Sequence, residues 1–296
     1  MMKSLKFVHI SDIHISKNNE ASFLVTEDIT RFFKETIELL NILPALDFVF
    51  ISGDCLNSGR EIELFQFQQI LAQLEKPVFI VPGNHDGNVS DAPNVFTQRR
   101  FASIFNPQYA ERPQNGQAGY FSISVKDDFQ LIGLDTSIPG QVEGQIDDEQ
   151  LAWLETELKR HADKFIIVGF HHPLHPLCEK SKTGLWKDMF VCQNGKKVQK
   201  LLDTYKSVKI VLCGHHHISK AFSMGSQLHL ASPPLASFPC GYRIIHLTEH
   251  GDDWRINWKT NYAPAFIRSK AATQLITSQF ALEYDAENPH NFINGL

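Results

Sequence analysis

The amino-acid sequence predicts an α/β protein built as a four-layer α/β/β/α sandwich, with two mixed sheets flanked by helices. Three observations carry this expectation. The N-terminal third alternates short apolar runs with helix-period segments, the pattern of parallel strands joined by helical crossovers. From residue 221 onward strands follow one another closely, and the whole pattern suggests two sheets packed face to face with helices outside. The chain has 296 residues with 43% hydrophobic and 11% aromatic side chains, enough to bury a real core.

The elements follow in order. Residues 5–10 form an apolar run of strand length. Residues 22–43 carry Ile29, Phe33, Ile37 and Leu40 at helical spacing. Residues 47–51 are a second strand. Leu64, Phe67, Leu71 and Leu74 share one helix face, and 77–81 are a third strand. Two strands, 119–125 and 129–134, are joined at Lys126-Asp127-Asp128. Asp147 can cap a helix through Leu151, Leu154 and Leu158. Strands at 165–170 and 208–213 enclose a helix at 196–205. Strands at 221–224, 227–231, 242–247 and 254–258 complete the pattern. Residues 87–118 lack a strong period, contain Pro93, Pro107 and Pro113, and read as a partly helical insertion. Residues 263–296, weakly patterned, read as a tail that packs on the 1–262 domain or on a second subunit.

Composition narrows the function. The formal net charge is -5, and no Lys/Arg stripe supplies a nucleic-acid footprint. No run approaches the roughly 18 apolar residues of a membrane span, and the stretch at Phe7 to Ile10 is too short for a signal-peptide core. The expectation is a soluble cytoplasmic protein with no nucleic-acid or membrane partner. Five scattered cysteines show no CxxC spacing, so neither a disulfide framework nor a zinc ribbon is indicated.

The fourteen histidines are informative through their placement. Asp12-Ile13-His14 follows the first strand. On an extended chain residues i and i+2 point the same way, so a carboxylate and an imidazole there can grip one cation. Gly53-Asp54 follows the second strand. The glycine permits a tight turn, and Asp54 can bridge two metals with its two oxygens. Gly83-Asn84-His85-Asp86 follows the third. Asn84 offers a neutral oxygen ligand, His85 a proton, and Asp86 is expected to orient the His85 ring. His171-His172-Pro173 and Gly214-His215-His216-His217 follow later strands. His215 and His217 share a side, and His216 should face away. Each cluster alone reads equally well as a turn. Five of them, each at the C-terminal end of a strand, coincide with where open α/β sheets place ligands.

This ordered set resembles the calcineurin-like metallophosphoesterase family, and within it the class III 3′,5′-cyclic-nucleotide phosphodiesterases. The motifs span Asp12 to His217, and the resemblance implies that 1–262 is the catalytic domain. It also implies a dinuclear centre. Asp12, His14, Asp54 and His217 would hold one metal, and Asp54, Asn84, His171 and His215 the other. Mixed nitrogen and oxygen donors favour Mn, Fe or Zn over Ca or Mg. His85, with Asp86, would serve catalysis. His14, Asp54, Asn84, His85 and His217 would line the substrate phosphate, and His172 and His216 would be neighbours only. The implied substrate is a small-molecule phosphoester, 3′,5′-cyclic AMP hydrolysed to 5′-AMP by metal-activated hydroxide. The alternatives are a glycerophosphodiester or another phosphoester handled by the same fold, and a non-catalytic nucleotide-binding scaffold. The resemblance also admits a homodimer.

Departures from relatives matter. The protein Ser/Thr phosphatases carry Gly-Asp-x-Val-Asp-Arg-Gly and Gly-Asn-His-Glu. This chain has Gly53-Asp54-Cys55-Leu56-Asn57-Ser58-Gly59, without the arginine, and Asp86 in place of the glutamate. Purple acid phosphatases place a tyrosine where this chain has Asn57. Asn57 also differs from the acidic or His residue more often found in cyclic-nucleotide relatives. Specificity is expected in 87–118 and 173–195. There Phe96, Phe101 and Phe105 either stack on a base or form a buried helix face, and Arg99 or Arg100 could meet phosphate. Trp186 and Phe190 share that ambiguity.

Overall fold

Strands β1 (Ser4–Ile10), β2 (Phe48–Ile51) and β3 (Val78–Ile80) pair in parallel. Each is separated from the next by a helix long enough to cross back over the sheet, α1 (Thr26–Ile42) and α2 (Glu61–Leu71). Two long antiparallel strands, β10 (Gly241–His250) and β11 (Asp253–Tyr262), extend this sheet to the order β11-β10-β1-β2-β3. The second sheet contains β4 (Phe121–Lys126), β5 (Phe129–Gly133), β6 (Phe165–Gly169), β7 (Val208–Cys213), β8 (Lys220–Met224) and β9 (Gln227–Ala231). Its order is β4-β5-β6-β7-β9-β8, parallel from β5 through β9 with antiparallel edges. Both sheets are therefore mixed. This computed structural model describes residues 3–16, 24–88, 94–251 and 253–277.

Three apolar clusters correspond to the three interfaces of a four-layer sandwich. Phe7, Phe48, Phe50, Phe121, Phe129, Ile167 and Ile210 fill the space between the sheets, and the Phe7 and Phe48 rings stack at 4.9 Å. Ile29, Phe33, Ile37, Leu64 and Phe67 seal α1 and α2 on the first sheet. Leu151, Leu154, Leu158, Val198 and Leu202 seal α4 (Asp148–Arg160) and α6 (Gly195–Asp203) on the second. Burial on both faces explains why β2 and β6 read as unbroken apolar runs rather than alternating ones.

The expected elements are present with shifted ends. The first helix is described from Thr26, so its expected start at Ser22 lies outside the described residues, as does Pro93 of the insertion. Within 87–118 the structure forms α3 (Gln98–Phe105). Phe96 and Phe101 are fully buried, and Phe105 packs on Phe101 and Phe67. These rings belong to the core and are not a stacking surface. Arg100 pairs with Glu61, and Arg99 donates to the Gly116 and Pro113 carbonyls, so neither is held out for phosphate. The segment after residue 262 begins as helix α7 (Ala265–Thr277), with Ile267 and Ala271 buried in the α1–α2 cluster. Among the described residues no helix is long and apolar enough to cross a membrane.

Candidate metal centre

The parallel strands deliver their C-terminal ends to one rim, where backbone bonds tie the loops together. Ser52 N–H donates to Ile10, Val81 to Ile51 and Phe170 to Leu212. Gly214 N–H donates to His171 O at 3.0 Å, and Ile13 and His14 both donate to Asp54 O. Loops far apart in sequence are thereby stitched before any side chain is considered.

All seven expected ligand residues reach this rim. His14 Nε2 lies 3.2 Å from His217 Nε2 and 3.6 Å from Asp54 Oδ2. His217 Nε2 lies 3.4 Å from Asp12 Oδ1. On the other side, His171 Nε2 lies 3.2 Å from each of Asp54 Oδ2, Asn84 Oδ1 and His215 Nδ1. Asp54 is common to both groups. Asp12, His14, Asp54, His171, His215 and His217 are buried, while Asn84 and His85 are half-buried. The cluster therefore opens to solvent on the Asn84–His85 side.

The donor chemistry fits a cation. His171 Nδ1–H donates to the Ser52 carbonyl at 2.7 Å and His215 Nε2–H to the Met189 carbonyl at 2.9 Å. A carbonyl can only accept, so these bonds fix both tautomers. The remaining nitrogens face each other with the oxygens of Asp54 and Asn84 beside them, a set made up of acceptors alone once a cation displaces the second proton that Asp54 favours on His171. Such a set of convergent acceptors needs positive charge at its centre. His217 is held by a hydroxyl, its Nδ1 at 2.6 Å from Ser237 Oγ, a partner that can either donate or accept.

Residues 5–219 match the sequence model of the calcineurin-like phosphoesterase family. The chain belongs to this family. A glycerophosphodiester phosphodiesterase, GpdQ, from Enterobacter lignolyticus is 32% identical over 210 residues, 71% of this chain and 69% of that protein. The 3′,5′-cyclic adenosine monophosphate phosphodiesterase CpdA of Vibrio vulnificus is 26% identical over 214 residues, 72% of this chain and 70% of its own length. Among solved structures, a dimetal phosphatase from Danio rerio superposes with a TM-score of 0.68 at 15% identity, covering 86% of this chain and 95% of that one. That likeness shows the shared fold. This calcineurin-like phosphoesterase is a hydrolase of phosphoric esters.

The backbone of this phosphoesterase is unusual where the ligand candidates stand. Asp12, His14, Asp54, His215 and His217 all have positive φ, between 48° and 65°. They are five of the eight described non-glycine residues in that region. The extended-chain argument for Asp12 and His14 is thus corrected. Left-handed turns, not strand alternation, bring these side chains together. Each such residue costs roughly 1–2 kcal/mol, strain that clusters at functional sites. Gly53 (φ +88°) and Gly83 let two loops pass in contact. A Cβ on Gly53 would fall 2.6 Å from Gly83 N, and one on Gly83 would fall 2.2 Å from Asp54 Oδ1.

Electrostatics follow burial and pairing. Burial alone would lower His171, but Asp54 beside it dominates and raises it to about 9. Burial likewise works to raise Asp54, yet His171 and His85 hold it well below the usual carboxylate range. Burial lowers His14 and His215 to about 3, which keeps them neutral and able to ligate.

Three residues adjacent to the ligand candidates have hydrogen-bond partners of their own. His172 has Nδ1 at 2.8 Å from Thr136 Oγ1 and Nε2–H donating to the Val142 carbonyl at 2.9 Å, so both ring nitrogens are engaged. His216 turns to Cys178 and stacks on Phe190. The expectation that Asp86 orients His85 is corrected. Asp86 accepts from the N–H groups of Leu56 and Gly83 at 2.9 Å each, and His85 Nδ1–H donates to the Asn57 carbonyl at 2.7 Å. Asp86 therefore fixes the loops, and Asn57 fixes the ring. Ser52, Met189 and Ser237 anchor ligand rings without any signal in the sequence, because the first two act through main-chain carbonyls.

Proposed function

We propose that this protein is a dinuclear metal-dependent phosphodiesterase acting on small, soluble phosphodiesters. The observation that carries this reading is the convergence of N and O donors from seven residues on one rim, with Asp54 common to both groups and the His85 imidazole at the open side. Asp12, His14, Asp54 and His217 would hold one ion and Asp54, Asn84, His171 and His215 the other. When bound, such ions neutralise phosphate charge and lower the pKa of a water toward 7. The N/O donor set suits Mn, Fe or Zn.

The chain's own residues do the rest. Asn84 and His85 face the entrance and meet the incoming phosphate. His85 Nδ1–H is committed to the Asn57 carbonyl, so the ring acts as an acid in its doubly protonated form, giving the Nε2 proton to the departing alkoxide and returning to the neutral Nδ1–H tautomer. His85 N–H donates to Asp54 Oδ1 at 2.9 Å, so the acid's backbone is registered directly on the residue common to both groups.

The first substrate class we infer is the glycerophosphodiesters, supported by the 32% identity to a protein named for that activity. Cyclic AMP is the second reading, supported by relatives named for it at 24–26% identity. The deciding experiment measures turnover of glycerophosphoethanolamine, cyclic AMP and bis(p-nitrophenyl) phosphate by Mn²⁺-loaded protein, with Asn84→Ala as control. Turnover of a natural diester that the control loses supports the proposal and names the class. No turnover of any diester with Mn²⁺, Fe²⁺ or Zn²⁺ would overturn it.

A further inference from the structure

Arg243 stands on β10, with His9 of β1 opposite it. Side chains alternate along a strand, and Ile245 and Leu247, further along on the same face, pack between the sheets. Arg243 therefore carries a guanidinium into the inter-sheet layer, where it is 2% exposed. Burial lowers it to about 10, so it is charged at neutral pH. Among the described residues its hydrogen-bond partners are uncharged oxygens, and no carboxylate pairs with it. Nε–H and Nη2–H donate to the Ala231 carbonyl at 3.2 and 3.1 Å. Nη2–H also reaches Ser219 Oγ at 3.0 Å and the Lys220 carbonyl at 3.3 Å. A buried cation without a carboxylate is costly, and hydrocarbon fills the same layer at Ile245 and Leu247.

These bonds join the two segments that place His217. Lys220 and Ala231 are paired residues of the β8–β9 hairpin, at its rim end, since β9 runs parallel to β7. Residues 214–219 carry His217 and run into this end at Ser219 and Lys220. Residues 232–240 leave it after Ala231 and supply Ser237, whose hydroxyl meets His217 Nδ1 at 2.6 Å. The same segment donates Leu235 N–H to the Ser11 carbonyl and Ala236 N–H to that of Asp12, at 3.0 Å each. One planar guanidinium, rigid in its own geometry, thus spans the base of the loop that bears His217 and the base of the loop that anchors it. His215, near the start of its segment, is held elsewhere, by the Met189 carbonyl and by Gly214 N–H on the His171 carbonyl. His171 itself is held by Ser52. Arg243 bonds to none of these anchors.

We infer that Arg243 is a positioning residue for the ion of Asp12, His14, Asp54 and His217, acting through the two loop bases, and not for the ion of the His171 side. This inference rests on the dinuclear reading proposed above.

Calorimetric titration of metal-free, full-length protein with Mn²⁺ tests it. Wild type is expected to take up about two ions per chain. In Arg243→Met one dissociation constant should rise about tenfold or more, the scale for residues that orient a ligand from behind it, while the other stays within about twofold. In a His217→Ala background, which leaves the His171-side site, adding Arg243→Met should change the remaining constant by less than about twofold. Ser219→Ala removes one Arg243 partner and leaves the charge in place. Its selective rise should be smaller, about threefold, and it decides the matter if Arg243→Met does not fold. Equal weakening of both ions, or weakening in the His217→Ala background, would make Arg243 a support of the whole fold and overturn this inference alone. Unchanged constants in every variant that folds would do the same. A wild-type chain that binds fewer than two ions with Mn²⁺, Fe²⁺ or Zn²⁺ would overturn the dinuclear reading, and this inference with it.

Discussion

His171 Nε2 and His215 Nδ1 lie 3.2 Å apart, each on a ring whose other nitrogen donates to a backbone carbonyl. Two imidazole lone pairs repel at this distance unless a cation or a proton lies between them. His172 is next in sequence to His171, and its ring centroid is 4.2 Å from that of His215, yet both its nitrogens are engaged elsewhere. Metal stoichiometry separates the two. His171→Ala is expected to drop bound metal from about two per chain to about one, whereas His172→Gln should keep both. Elemental analysis after gel filtration reads this directly, and equal losses in the two variants would remove the distinction.

His85 provides the second test. It is half-buried at the open side, and its Nδ1–H is held by Asn57. His85→Ala should therefore retain its metal and lose about 10²–10⁴-fold in kcat, the range for a positioned proton donor. The loss should shrink for p-nitrophenyl esters, whose leaving group needs no proton. A uniform loss across leaving groups would point to lost binding instead.

Asp86 acts on stability. Burial, and then the charge of Asp54, raise its carboxyl to about 8 against the two N–H groups that it accepts. Asp86→Ala would leave the Leu56 and Gly83 N–H groups buried without partners, at about 1–3 kcal/mol each. Denaturant unfolding of the metal-free protein should show that loss. Asp86→Asn, which keeps one acceptor, should recover part of it.

Much of the metal centre was legible because its residues stand immediately after apolar runs, and a run of strand length announces where its C-terminal end lies. The βαβαβ opening gave β1, β2 and β3 for the same reason, whereas nothing in the letters of β10 and β11 reports that they join this sheet. What was hidden had physical causes. Nothing in the letters of Asp12 or His217 reports a left-handed φ, since these residues have no built-in preference strong enough to announce it. Asp86 looked like a partner for His85 through adjacency alone, but the turn sends its carboxylate to two main-chain N–H groups. The short helix α5 (Gly184–Phe190) is too brief for periodicity to show, although it supplies the Met189 carbonyl that orients His215. Phe101 and Phe105 were readable, because a four-residue spacing on a helix predicts a shared buried face.

The last prediction concerns acid. His229 on β9 is 5% exposed, its Nε2 has no hydrogen-bond partner among the described residues, and it stacks on Phe222. Burial, and then His175 nearby, lower it to about 3. Burial, and then Arg243, lower His9 to about 3 as well. In the unfolded chain both titrate near ~6.5. Between these values the unfolded state binds more protons than the folded one, so stability is complete above about pH 6.5 and falls as the pH drops toward 3. At ~1.36 kcal/mol per pH unit, each histidine should cost roughly 2 kcal/mol by pH 5. Melting curves of metal-free wild type and His229→Phe between pH 7.5 and 5 isolate one of them. The variant should lose distinctly less Tm over that interval. Parallel losses would mean that His229 takes up its proton without unfolding.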